Sequence, residues 1–337
     1  MAVLSFRRKV TILGVCIALL AAAYVLGLVF SPARVGKREA ESPLVEGFKR
    51  QVSDQVAEIR LTSGNGSLIL VKSAEQWTLP GPDRDYPASA TRIDTFLGFL
   101  ADVAKTRVVT DNPDSWEEFQ VHAGSDRRIQ LFDSSGVELL EIIIGKSSAG
   151  GGDDYLRLGS SNEVILSNRS FDYYLNVEQE FWSYLRIFPE DLEGQSVMRI
   201  TVESRLQFGA EPAEDLDYTL VLSSEQPAVW KLVDRETGEL DNKQVDLLAG
   251  NIADLEGTRF AIADPEQTGL SSPAARVLIS TIDDRDFRLR IGSRTGEDQY
   301  YASLENGELV YEVSEWRIKG ILKSVEQLLP KQADVSE

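Results

Sequence analysis

The side chains that carry most nucleophilic and acid–base chemistry are scarce in this chain of 337 residues, which has one histidine, His122, and one cysteine, Cys16. Cys16 lies inside an unbroken apolar run, so a Cys–His pair is excluded by geometry. With a single cysteine, neither an intrachain disulfide nor a thiolate metal cluster can form. His122 could serve a Ser–His–Asp arrangement, but no Gly-x-Ser-x-Gly elbow presents a serine to it. It stands in the polar stretch "VHAGSD" (121–126), which reads as a solvent-exposed turn where no partner is in reach.

Carboxylates are abundant, 54 Asp and Glu in all. The densest runs are "DDRD" at Asp283–Asp286 and "GGGDDY" at Gly150–Tyr155. A calcium loop of the EF-hand type needs alternating Asp or Asn, a glycine and a later Glu, and neither run has that order. Asp is common in turns because its side chain bonds its own backbone, so both runs read as hairpin connections. A glycosidase needs two facing carboxylates, which a sequence this rich in acid cannot single out. "SSAGGGDD" (147–154) lacks the Gly-Lys-Ser/Thr of a phosphate loop and precedes a strand instead of a helix. The expectation is therefore no catalytic residue, no metal ligands and no cofactor.

The elements that must hold the body begin with a membrane span. Val10–Phe30, "VTILGVCIALLAAAYVLGLVF", is 21 residues without a charge. At 1.5 Å per residue such a helix covers roughly 30 Å, the thickness of the bilayer's hydrocarbon core. Pro32 closes it, since proline cannot continue the helical ladder. A cleaved signal peptide has a shorter apolar stretch, although Ser31-Pro32-Ala33 resembles a small-x-small cleavage site. A lipoprotein anchor needs its cysteine at the end of the run, whereas Cys16 is near its start. The reading is a retained signal anchor: residues 1–9 a cytoplasmic tail, 10–30 a single transmembrane helix, 31–47 a linker rich in charge, proline and small residues. Arg7, Arg8 and Lys9 before the span nearly balance Arg34, Lys37 and Arg38 after it, so the orientation rests on the short basic tail. It puts the protein in the cytoplasmic (inner) membrane with its body extracytoplasmic (periplasmic).

Net charge is −19, and it resides in the body: residues 1–50 hold eight Lys/Arg and three Asp/Glu, the remainder 27 and 51. So acidic a body repels phosphate backbones, which argues against a nucleic-acid partner, and it disfavours lying flat on anionic lipid.

One pattern occurs twice in the body. "IDTFLGFLADVAKTRVV" begins at Ile93 and "VDLLAGNIADLEGTRFA" at Val245. Ile93, Phe96, Leu97, Leu100 and Val103 have the same offsets as Val245, Leu248, Ala249, Ile252 and Leu255, one apolar stripe at the helical period. Ser89 and Asp241 precede the stripes as N-caps. Gln244 suits a capping box with Asp241, and Gly257 a left-handed C-cap. Strand pairs containing Trp77 and Trp230 come before the helices, and the recurrence gives both tryptophans a packing role. Hairpins come after: "IQLFDSSGVELLEIIIG" and "VLISTIDDRDFRLRIG", then "YLRLGSSNEVILS" and "YYASLENGELVYEV". Asn306-Gly307 signals a two-residue turn. Alternation of Phe287, Leu289 and Ile291 with Arg288 and Arg290 predicts one buried and one wet face. The fold class is α+β: an N-terminal transmembrane helix, then two tandem repeats of antiparallel β-hairpins packed on a helix, unit 1 at 48–187, unit 2 at 188–330, and a tail at 331–337. Phe181, Trp182, Tyr184 and Leu185 are expected in a short helix at the join.

In their order these signs resemble a family of bacterial membrane-anchored extracytoplasmic repeat domains of unknown function, of the kind found beside gliding-motility-type ABC transporter components. The resemblance covers most of residues 50–322. It rests on Trp77-Thr78-Leu79 and Trp230-Lys231-Leu232, on Gly269-Leu270-Ser271-Ser272-Pro273, on Ile144-Gly145 and Ile291-Gly292, and on Leu185-Arg186. Unit 1 departs at "FQVHAGSD", where Gly-Leu…Pro is expected. The resemblance implies a non-enzymatic accessory or scaffold for an ABC-type transport system, with the membrane and a permease or other envelope protein as partners. Two further readings stand beside it: a glycan- or peptide-binding envelope module with aromatics such as Trp182 or Tyr184 at its cleft, and a carboxylate-based hydrolase. Trp116 and Trp316 remain unassigned.

Overall fold

The computed structural model of the chain describes residues 42–44, 54–64, 66–208, 215–224, 226–233, 239–263, 266–296 and 298–330. The tail 1–9, the apolar run 10–30 with Cys16, most of the linker and the tail 331–337 lie outside them. Among the described residues no helix is long and apolar enough to cross a membrane. The fold is α+β, dominated by two large antiparallel sheets with few helices. The chain divides into two compact units between Trp182 and Ser183. Leu185 and Ile187 bond within the second unit: the Gly257 N–H donates to the Leu185 carbonyl and the Ile187 N–H to that of Leu255.

The first unit holds strands β1 (Ser42–Pro43), β2 (Val56–Ser63), β3 (Gly66–Ser73), β4 (Gln76–Pro80) and β5 (Asp85–Pro87), helix α1 (Ala90–Asp102), β6 (Ala104–Thr110), the one-turn α2 (Trp116–Phe119), then β7 (Arg128–Asp133), β8 (Glu138–Ser147), β9 (Asp154–Leu158), β10 (Val164–Ser167) and α3 (Gln179–Trp182). The sheet order is β1-β6-β10-β9-β8-β7-β2-β3-β4-β5. Residues 42–44, expected in a free linker, belong to this sheet: Ser42 and Pro43 pair with β6, and the Leu44 N–H donates to the Val103 carbonyl at 3.0 Å.

Ile59 and Leu61 alternate inward along β2, and a register shift between Val56 and Glu58 lets Val56 face inward too. Each such buried aliphatic contributes about 1.5–3 kcal/mol. The helix α1 lays Ile93, Phe96, Leu97 and Leu100 into the core. Central strand β8 is buried on both sides, Leu140, Ile142 and Ile144 being joined by Ile143. Ile143 packs with Val121 and Val164 in a second cluster that Trp116, Phe119 and Tyr155 cover.

The second unit holds β11 (Val197–Ser204), β12 (Leu216–Leu222), β13 (Trp230–Leu232), helix α4 (Asn242–Ala253), β14 (Arg259–Phe260), β15 (Ala275–Thr281), β16 (Asp286–Arg294), β17 (Gln299–Leu304), β18 (Tyr311–Ser314) and helix α5 (Glu315–Ile321). Its sheet order is β13-β12-β11-β15-β16-β17-β18-β14. Leu289 and Ile291 face the core, while Arg288 lies on the solvent side. Trp77 and Trp230 are both buried.

Four local expectations are corrected. Gln244 does not close a capping box, because the Asp241 N–H already donates to the Leu328 carbonyl at 2.9 Å. Gly257 has no positive φ; it lies close to Tyr311, whose side chain a Cβ would meet at a tight 3.1 Å. Asn306-Gly307 is not a two-residue turn, since β17 ends at Leu304 and β18 starts at Tyr311. The short helix α3 stops at Trp182, leaving Tyr184 and Leu185 outside it.

Candidate functional site

Most residues singled out for chemistry have structural work. Asp154 is fully buried and accepts three bonds, from the Ser147 hydroxyl (2.7 Å), the Ser170 hydroxyl (3.2 Å) and the Phe171 N–H (2.7 Å). Its carboxylate thereby ties the β8–β9 connection to the segment after β10. Gly151 and Gly152 take positive φ in that connection. "DDRD" forms the β15–β16 turn: Thr281 and Arg285 bond each other through backbone and hydroxyl, and Asp284 is left-handed at φ 60. The Thr281 hydroxyl, helped by Arg285, holds the Asp283 carboxyl below its usual range.

His122 follows α2, its Nε2 3.8 Å from the Glu117 carboxylate. Trp116 covers the buried Arg157, whose guanidinium lies 4.0 Å from the ring centre and whose Nε donates to the Val121 carbonyl at 2.8 Å. Trp182, one of the two aromatics expected at a ligand cleft, is instead core: fully buried, with Nε1 donating to the Asn176 carbonyl at 2.8 Å. Burial removes it from any open site. Among the described residues no group of three or more His, Cys, Asp or Glu converges as metal ligands would.

The remaining tryptophan behaves differently. Trp316 is 70% exposed. Its place follows from two short helices of the second unit. Asp241 caps α4 by accepting from the Lys243 N–H at 3.0 Å. Val245, Leu248, Ala249 and Ile252 are buried. That stripe turns Leu247, Asn251 and Asp254, spaced by one turn each, to the outside, and Leu247 is 59% exposed. Along α5, Ile318 and Ile321 are buried, so Trp316 and Gly320 share the opposite side. The helices meet where the Asn251 side-chain amide donates to the Gly320 carbonyl at 3.4 Å. Between them lies a groove of about 330 Å³, lined by Asn251, Asp254, Glu256, Trp316, Arg317 and Gly320.

Paired charges fix its walls. Arg317 meets Glu256 at 3.1 Å, and its guanidinium carbon lies 5.1 Å from the Trp316 ring centre. Arg186 meets Asp254 at 3.1 Å and also donates to the carbonyls of Ala253 (3.1 Å) and Glu190 (2.9 Å), locking the end of α4. Behind this wall, burial pushes the Tyr184 phenol above its ordinary value, with Glu190 and Glu256 adding and Arg186 opposing. The groove thus carries an aromatic anchor, a hydrogen-bonding amide, carboxylates and a guanidinium paired with Glu256. Its lining offers a binding surface. Sequence reasoning missed the groove because its members come from two separated segments, 251–256 and 316–320. The available signal was Trp316 standing off the apolar stripe of its helix.

The sequence profile of a family described as a domain of unknown function (DUF4340) matches residues 77–273, more than half of the chain. The match starts at Trp77 in the first unit and ends at Pro273 in the second. No curated protein and no solved structure matches the chain.

Proposed function

The chain belongs to the DUF4340 family of domains of unknown function, and from that premise we propose that it is a non-enzymatic, membrane-tethered module whose α4–α5 groove docks on another envelope protein. The observation that carries the reading is the exposed Trp316 at the rim of the groove. Tryptophan and arginine are among the residues that dominate binding energy at protein interfaces. The uncharged run 10–30 supports a tether with the acidic body extracytoplasmic. A permease or other integral component of an ABC-type transport system is the partner class that the family resemblance implies.

The two units are proposed as tandem copies of one fold. In support, the succession β6-β10-β9-β8-β7-β2-β3-β4 in one sheet has the same form as β14-β18-β17-β16-β15-β11-β12-β13 in the other. The N-caps Ser89 and Asp241 share φ −75 and ψ 99. Each cap's N–H donates to a carbonyl late in its own unit, Trp182 or Leu328.

The test is site-specific photo-crosslinking in intact cells, using the full chain with a photoreactive residue at 316 and, separately, at Ile262, another exposed site. The expected outcome is a single transport-system membrane protein captured from position 316 and lost from position 262. Capture of a glycan instead, or equal diffuse labelling from both positions, overturns the reading.

A further inference from the structure

The solvent face of the second sheet carries a separate concentration of positive charge. Arg276 on β15 stands directly opposite Arg290 on β16, and Arg288 lies two residues from Arg290 on the same strand and face. Like charges placed directly opposite across a strand pair destabilise it, a cost that Glu203, opposite Arg276 on β11, offsets only in part. The three arginines border one cavity of about 150 Å³, with Thr201 and Leu278 beside them and Glu203 and Glu305 at its edge.

The two carboxylates do not satisfy the three guanidiniums. Glu305 holds Arg288 at 3.1 Å, and Glu203 reaches Arg276 only at 3.8 Å. Arg290 has no carboxylate partner among the described residues. Its Nη atoms make long contacts to the carbonyls of Leu270 (3.5 Å) and Leu304 (3.4 Å), and its enclosed Nε has no hydrogen-bond acceptor. Contacts this long leave the Nη donors only weakly satisfied.

We propose that this cavity binds the phosphoryl group of a small phosphate ester, with Arg290 as its central ligand and Arg276 and Arg288 on either side. A dianionic phosphate offers several oxygens to several guanidinium forks and would relieve the Arg276–Arg290 repulsion, whereas a lone carboxylate is served by one arginine. The volume is below the range of drug-sized sites, which start near ~300 Å³, so it suits a phosphate on a short carbon chain resting against Leu278. This site is independent of the Trp316 groove.

Glycerol phosphate and the headgroup of phosphatidic acid present the same chemistry from different sources. The full chain in nonionic detergent would be titrated calorimetrically with glycerol phosphate against sodium chloride of equal ionic strength. A second titration would use detergent micelles carrying phosphatidic acid. Saturable binding in either arm is expected, identifying the source, and Arg290→Gln should weaken it by about tenfold or more. Arg276→Gln should weaken it too, which guards against a folding defect in one variant. No saturable binding above the chloride control in both arms, or binding that neither variant reduces, overturns the proposal.

Discussion

Gln120 shows how much one backbone position can carry. It sits at φ 60 and ψ 33, in the left-handed region, just after α2. In the second unit Gly269 takes φ 68 before Leu270, as Gln120 does before Val121. The stretch "FQVHAGSD" thus keeps a left-handed residue followed by an apolar one, without the glycine or the later proline. A side chain in that region costs about 1–2 kcal/mol, partly offset by the ~0.5–1 kcal/mol of extra chain entropy that glycine loses on folding. Gln120→Gly should therefore stabilise the protein by up to about 1 kcal/mol, read as a higher urea midpoint at unchanged slope. Gly145 and Gly292 explain the recurring Ile-Gly: a Cβ at either would lie 2.0 Å from a backbone carbonyl, that of Phe119 or of Thr268. Trp316 contrasts with both. Its ring is exposed, so Trp316→Ala should leave thermal stability within about 0.5 kcal/mol of the parent while abolishing the crosslinked complex proposed above.

At the scale of elements, the two main helices are built alike but capped unequally. Asp241 accepts from Lys243 at 3.0 Å with a full charge at the positive end of the helix dipole, whereas Ser89 accepts from Arg92 at 3.3 Å with a neutral hydroxyl. Replacing an N-cap by alanine costs about 1 kcal/mol on average. Asp241→Ala should cost more than Ser89→Ala, measured as the difference in chemical-denaturation stability, and the Asp241 effect should shrink as salt is raised. Equal losses at the two caps, insensitive to salt, would count against a charge–dipole contribution. The stripes, caps and antiparallel strands were legible in the sequence because they follow local periods of 3.6 and 2. The failed capping box, the absent left-handed cap at Gly257 and the longer 305–310 connection were not, because partners distant in sequence decide them: Leu328 takes the donor that Gln244 was expected to satisfy, and Tyr311 crowds Gly257.

For the molecule as a whole, buried tyrosines set an alkaline limit. Burial pushes the Tyr311 phenol up to about 12, with Tyr184 adding to the shift. Burial lifts Tyr218 well above its ordinary value; its hydroxyl donates to the Lys323 carbonyl at 2.7 Å. Tyr184 and Tyr300 are raised as well, and all four lie in the second unit. A phenol whose folded pKa exceeds its unfolded value contributes stability that is fully present below about pH 10, the unfolded value, and is lost as pH climbs through the folded one. The melting temperature should therefore be flat with respect to these groups below about pH 10 and fall above it. Tyr218→Phe should flatten that alkaline limb at the cost of some stability near neutrality, because it leaves the Lys323 carbonyl without its donor.

By itself the sequence determined the α+β class, the antiparallel strand pairs, the two capped helices and the strongly acidic body, because each is written in periodicity or composition over a few neighbouring residues. Where the reactive-looking residues go was decided only in three dimensions. Asp154 became a buried tie, Trp182 became core, and Arg290 was left without a carboxylate across a strand pair. Trp316 came to rim a groove with residues from α4 and the segment after it. The reason is that burial and partnership depend on what distant segments bring to the same place, and no local pattern carries that information.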